Sequence, residues 1–118
     1  MNTSLSKIIE LLNSDNFYEA EQEIRKIYNK NPNSFDLNKI LGAAMLAQKK
    51  YNVALKCYEK CINIKKDDYD VLVNLGFIFL KTQFYDQSIE FCNKALSVNQ
   101  WPHAYQNLAS CYFHLRDY

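Results

Sequence analysis

One spacing constrains this chain more than any other feature. Phe17-Tyr18-Glu19-Ala20 recurs as Tyr51-Asn52-Val53-Ala54 and again as Tyr85-Asp86-Gln87-Ser88, with the aromatic positions 17, 51 and 85 evenly spaced. Leu41-Gly42 returns at that same spacing as Leu75-Gly76 and then, one position short of it, as Leu108-Ala109; Tyr118 stands in the same phase after Tyr85. A period of this length marks an array of small units, each of which buries its apolar face only against its neighbours. It divides the chain into repeats at about 1–34, 35–68 and 69–101 and a partial one at 102–118, read as a single domain.

Inside each unit the apolar pattern is helical. Leu37, Leu41, Ala44 and Met45 recur at three- and four-residue steps, which places them on one helix face. Val53, Ala54, Leu55, Cys57, Tyr58, Cys61, Ile62 and Ile64 do the same in the next segment. The link Lys49-Lys50 is too short for anything but an antiparallel turn. The pattern predicts seven helices, an A and a B helix per repeat: Thr3–Asn13, Phe17–Lys30, Phe35–Gln48, Tyr51–Ile64, Tyr69–Thr82, Tyr85–Val98 and Pro102–Leu115. With only two glycines and two prolines, the chain lacks the turn punctuation of a β-sandwich or an α/β fold.

Local signals agree with those boundaries. Asn33-Ser34 and Asp67-Asp68 precede A helices, where a short side-chain oxygen accepts from a first-turn N–H. Pro32 discourages continuation of the first B helix, and Pro102 suits the first turn of the last helix. Gly42 and Gly76 lie in mid-helix, where glycine costs up to ~1 kcal/mol relative to alanine. Close approach of the A helix to the B helix explains them, with Ala20, Ala54 and Ser88 expected opposite.

Charge and cysteine usage narrow the function classes. Lys plus Arg number 14 against 13 Asp plus Glu, a net charge of +1, which gives no footprint for nucleic acid or an anionic membrane. Lys65-Lys66 is cancelled at once by Asp67-Asp68. No stretch approaches the ~20 apolar residues of a membrane span, and residues 1–12 hold no long apolar run, so a cytoplasmic location is expected. Cys57, Cys61, Cys92 and Cys111 fall on apolar helix faces and read as reduced core thiols. Cys57 and Cys61 have no third ligand nearby, and His103 and His114 stand three helical turns apart. No metal and no cofactor are expected, and the absence of a P-loop, a dinucleotide-binding glycine pattern, HExxH or a Ser-His-Asp order argues against an enzyme.

These features resemble the tetratricopeptide repeat family, whose pattern sets Leu-Gly, aromatic and small residues at fixed places in about 34 positions. The third repeat matches it with Leu72, Leu75-Gly76, Phe79, Tyr85, Ser88, Cys92 and Ala95, and the second with Leu41-Gly42, Met45, Tyr51, Ala54, Tyr58 and Cys61. The first keeps Leu11, Phe17, Ala20, Ile24, Ile27 and Pro32 but has Lys7-Ile8 where Leu-Gly is usual; the fourth keeps Tyr105, Leu108-Ala109, Tyr112 and Tyr118. The resemblance implies an all-α, right-handed superhelix whose A helices line a concave groove that binds a peptide or partner protein. Counting from each repeat start, it assigns partner contacts to Lys39, Asp70, Asn74, Phe77, Lys81, His103, Gln106 and Asn107, with Val73, Ser110 and His114 on the same count.

Asn74 and Asn107 occupy equivalent places, which resembles the asparagine ladder of O-linked N-acetylglucosamine transferase repeats; there a side-chain amide holds peptide backbone. Ile40 and Ser6 stand at that place in the other two repeats. The chaperone carboxylate clamp is a weaker resemblance. Lys39 and Asn74 fit it, but Ala43, His103 and Asn107 depart from it and Asp70 would repel a carboxylate. The expected function is therefore a protein–protein interaction module. Alternatives are the docking repeats of a larger transferase, or a self-associating scaffold.

The final helix carries Tyr105, Leu108, Ala109, Cys111, Tyr112, Phe113 and Leu115 and is apolar around most of its circumference, whereas a terminal repeat should turn a polar face outward. Tyr112, Phe113 and Leu115 are expected to meet a further repeat or a second copy of the chain in a homodimer. Trp101 is expected to cover the joint between repeats three and four.

Overall fold

The A and B helices fold back on each other through turns that repeat with the sequence. The computed structural model describes residues 2–116, with side chains from residue 5; Tyr118 and its place in the fourth repeat lie outside the described residues. Seven helices follow in order: α1 (Asn2–Asn13), α2 (Phe17–Tyr28), α3 (Phe35–Ala47), α4 (Tyr51–Ile64), α5 (Tyr69–Lys81), α6 (Tyr85–Val98) and α7 (Pro102–Leu115), with no strand among the described residues. All seven expected helices form. The largest boundary difference is at α2, which ends at Tyr28, short of Lys30.

Each A-to-B turn closes on a residue in the left-handed region: Asp15 (φ 61°), Lys49 (φ 61°) and Gln83 (φ 69°). These three are spaced by the repeat. The N–H after each reaches back to a carbonyl in the last turn of the A helix, Asn16 to Leu11, Lys50 to Met45 and Phe84 to Phe79, at 2.8–2.9 Å. That is the Schellman closure, which usually takes glycine. None of the three is glycine, so the turns carried no glycine signal in the sequence. At the other end, Ser34 Oγ accepts from the Leu37 N–H at 3.2 Å and Asp68 Oδ1 from the Val71 N–H at 3.0 Å, as the capping residues predicted. Pro102 sits in the first turn of α7.

The chain divides into two compact units, Met1–Cys61 and Ile62–Tyr118. In the first, Ile8, Ala20, Ile24, Leu41, Ala44, Met45, Ala54 and Tyr58 form the buried interior. In the second, Tyr69, Leu72, Val73, Ala95 and Ala104 form a core cluster with Ile62, Phe91 and Leu96 packed against it.

Both mid-helix glycines mark a close A–B approach; Ser88 lies opposite Gly76 as expected, while the nearest neighbour of each glycine is another residue. A Cβ on Gly42 would lie 2.9 Å from Cζ of the buried Tyr58 ring, which is nearer to it than Ala54. A Cβ on Gly76 would lie 2.7 Å from Cys92 Sγ and 3.4 Å from the Ser88 carbonyl oxygen. Ser88 is also more than a spacer. Its hydroxyl donates to the Gly76 carbonyl at 2.6 Å and accepts from Cys111 Sγ at 3.1 Å, joining α5, α6 and α7.

Candidate functional site

Asp70, Asn74, Phe77 and Lys81 run at four-, three- and four-residue steps along α5, so they share one stripe of the helix. Asp70 and Lys81 are exposed, Asn74 and Phe77 half-buried. The intervening Val71, Leu72, Leu75, Gly76 and Ile78 are buried. The Lys81 ammonium lies 5.4 Å from the Phe77 ring centroid. A half-exposed aromatic topped by a cation offers apolar contact and positive charge together. In the first unit, Lys39 of α3 is half-buried with its ammonium 5.9 Å from the Phe35 ring centroid.

On α7, His103 and Gln106 are exposed and Asn107 is half-buried. The Asn107 amide donates to the Val73 carbonyl at 3.4 Å and also hydrogen-bonds the Cys92 thiol. Asn107 therefore ties α7 to α5 and α6 as well as standing at a partner-contact position. Two residues from the same count lie elsewhere. Val73 is buried in the core cluster, and His114 stacks on Tyr85 of α6 with ring centroids 5.2 Å apart. Tyr112 and Phe113 are exposed on α7, whereas Leu115 is half-buried and lines a small hollow with Gln83, Phe84, Tyr85, Asp86 and Gln87.

Trp101 does cover the joint it was assigned to. Its ring meets Tyr69 edge-on at 4.8 Å, and the Tyr69 hydroxyl donates to the Trp101 carbonyl at 2.9 Å while accepting from the Ala104 N–H at 3.3 Å. All four cysteines are buried and none forms a disulfide. Burial, only partly offset by hydrogen bonding with Ser88 and Asn107, pushes the Cys92 thiol up to about 11, which suits a packing role rather than a nucleophilic one. Among the described residues no three His, Cys, Asp or Glu side chains are placed to hold a metal ion, and no helix is long and apolar enough to cross a membrane.

Two buried polar groups in the first unit escaped the sequence reading. Glu21 is 5% exposed and is met by Arg25 Nε at 2.9 Å, Gln48 Nε2 at 3.0 Å and Lys50 Nζ at 3.3 Å. Burial pushes its carboxyl up, but the hydrogen bonds from Arg25, Gln48 and Lys50 outweigh it and hold the group below the usual carboxylate range. A group whose pKa is lowered by folding stabilises the fold above its unfolded-state value and loses that effect as pH falls through the folded one. Glu21→Gln should therefore lower stability at pH 7 by ~1 kcal/mol, because two partners are nearly half exposed and screened. In denaturant titrations its difference from the parent should close as pH falls below about 4.5; a pH-independent difference would refute the linkage. The second group, Asn38, is fully buried and bonded on both sides of its amide.

Comparisons with known proteins agree with this architecture. The MamA fragment starting at residue 41 from Desulfovibrio magneticus RS-1 superposes with a TM-score of 0.90 at 23% identity, covering 97% of this chain and 65% of that one. The TPR domain of Sgt2 from Aspergillus fumigatus gives 0.87 at 12% identity, covering 98% and 79%. The TPR domain of P58(IPK) gives 0.86 at 20% identity, covering 98% and 33%. At such identities the likeness is one of fold, a helical solenoid of antiparallel pairs. The BBSome complex member BBS4 of Xenopus tropicalis is 31% identical over 68 residues, 58% of this chain, so the chain matches only 13% of that protein's length. The finer resemblance to glycosyltransferase repeats draws no support from these relatives. The tetratricopeptide repeat model matches residues 40–68 and 69–100, more than half of the sequence. Those spans hold both Leu-Gly pairs, the Asp68 cap and the whole α5 stripe. The chain belongs to the tetratricopeptide repeat family.

Proposed function

We propose that this chain holds a peptide segment of a partner protein along the exposed stripes of its A helices. Tetratricopeptide repeats are protein-interaction modules. In the second unit the contacts come from Asp70, Asn74, Phe77 and Lys81 of α5 with His103, Gln106 and Asn107 of α7; Lys39 of α3 plays the same part in the first. The observation that carries the reading is the half-exposed Phe77 with the Lys81 ammonium over its ring. It suits a segment with an acidic side chain next to an apolar one, while Asn74 and Gln106 suit peptide backbone. Four buried thiols outside any disulfide favour work in a reducing compartment such as the cytoplasm.

The test begins with an array of acidic–apolar peptides, followed by fluorescence polarisation on the tightest binder. Phe77→Ala combined with Lys81→Ala should weaken binding at least tenfold, about 1.4 kcal/mol, with the thermal midpoint nearly unchanged. Undiminished affinity would sink the assignment of the α5 stripe. Asn107→Ala should behave differently and lower stability as well, because its amide bonds Val73.

A second reading, self-association, is favoured by α7. Tyr112 and Phe113 are each 55% exposed and Tyr105 is 48% exposed on the same helix.

A further inference from the structure

Three A helices differ in where their N-terminal caps come from. Ser34 and Asp68 stand just before α3 and α5, and each gives a side-chain oxygen to the N–H three positions on, that of Leu37 and of Val71. Trp101 holds the same place before α7 and makes no side-chain cap bond. The corresponding N–H belongs to Ala104, which is fully buried, so this donor needs a partner inside the protein. It finds the Tyr69 hydroxyl at 3.3 Å. That hydroxyl comes from the first residue of α5 and donates onward to the Trp101 carbonyl at 2.9 Å. A single oxygen on α5 therefore stands in for the cap that α7 lacks. Tyr69 is itself 6% exposed, with its ring edge-on to Trp101 and set in the core cluster, so the hydroxyl has little freedom to move. One repeat earlier the pairing is reversed. Phe35, in the place of Tyr69, has no hydroxyl, and Asp68, in the place of Trp101, has its own oxygen.

The latch sits where the two binding stripes begin. Asp70 follows Tyr69 and opens the α5 stripe, while His103 lies between the two groups that the hydroxyl holds and opens the α7 stripe. A second tie, the Asn107 amide to the Val73 carbonyl, lies about one turn further along and is longer, at 3.4 Å. We infer that Tyr69 is a positioning residue for the partner-binding groove: by capping α7 from α5, its hydroxyl fixes where His103 and Gln106 stand relative to Phe77 and Lys81. This rests on the groove reading and deepens it. A segment lying across both stripes meets them at a spacing set in advance, not one that binding must impose.

Tyr69→Phe removes the hydroxyl and keeps the ring. Hydrogen exchange at the Ala104 amide should quicken by about tenfold, because its buried acceptor is gone. In fluorescence polarisation, the tightest acidic–apolar peptide of the array should bind about threefold to tenfold more weakly, the usual worth of one hydrogen bond. In a His103→Ala, Gln106→Ala background, which keeps Phe77 and Lys81, the same substitution should leave affinity nearly unchanged. A general loss of stability would weaken binding alike in both backgrounds, whereas lost positioning of α7 acts only through the α7 contacts. Unchanged exchange at Ala104, unchanged affinity, or an affinity loss of equal size in both backgrounds overturns the positioning role and leaves the groove reading in place. Binding of that peptide that is indifferent to Phe77→Ala with Lys81→Ala overturns the groove reading, and the positioning role with it.

Discussion

Replacing Gly76 by alanine is expected to destabilise the chain by about 1–3 kcal/mol, the usual range for overpacking. The same substitution made in a Cys92→Ala background is expected to stabilise it by up to ~1 kcal/mol. The new Cβ would lie 2.7 Å from Cys92 Sγ, closer than side-chain atoms tolerate, and 3.4 Å from the Ser88 carbonyl oxygen. Cys92 is fully buried, so the sulfur has little room to yield. With the sulfur removed, what remains around the Cβ is ordinary contact, and alanine's greater helix propensity decides the sign. A double-mutant cycle in chemical denaturation reads the reversal directly. Equal effects in both backgrounds would show that the glycine is not there to accommodate the sulfur.

The second large effect is expected at Asn38, where Asn38→Leu should cost about 2–3 kcal/mol. Its amide nitrogen donates to the carbonyls of Pro32 at 3.0 Å and Ser34 at 2.8 Å, and its oxygen accepts from the Tyr28 hydroxyl at 3.1 Å. The Tyr28 hydroxyl in turn accepts from Lys60 Nζ at 2.9 Å. Leucine matches the volume but removes the donor to the Pro32 and Ser34 carbonyls and the acceptor of the Tyr28 hydroxyl, three bonds worth about 0.5–1.5 kcal/mol each. Asn38→Asp should be harmful too, since a carboxylate donates to neither carbonyl. A leucine variant as stable as the parent would mean that the α2–α3 loop is held by something other than this amide.

The fold was largely legible because its determinants are local and repeated. The period, the caps at Ser34 and Asp68, the proline at position 102 and the A-helix glycines each state a local rule, and four units state it in phase. What sequence did not supply is long-range pairing. The opponent of Gly42 proved to be Tyr58, one turn beyond the expected Ala54. Glu21 gave no sign that Gln48 and Lys50, from beyond the next helix, would converge on it. Nothing local in the sequence marks Asn38, whose partners are two loop carbonyls and the Tyr28 hydroxyl. The candidate site was legible only as positions. The family resemblance, counted from each repeat start, named Asp70, Asn74, Phe77 and Lys81, but it could not reveal that the Asn107 amide is drawn to Val73, that Val73 itself is core, or that His114 turns to Tyr85.

The central claim is that the open stripes of the A helices are where a partner peptide is held. It is tested most directly by amide chemical-shift mapping of the labelled chain, titrated with the tightest peptide from the array. The account predicts that the largest shifts cluster at Asp70, Asn74, Phe77 and Lys81 and at His103 and Gln106, and that they vanish in the Phe77→Ala, Lys81→Ala double variant. Shifts confined to the B helices α4 and α6, with those six amides unmoved, would contradict it.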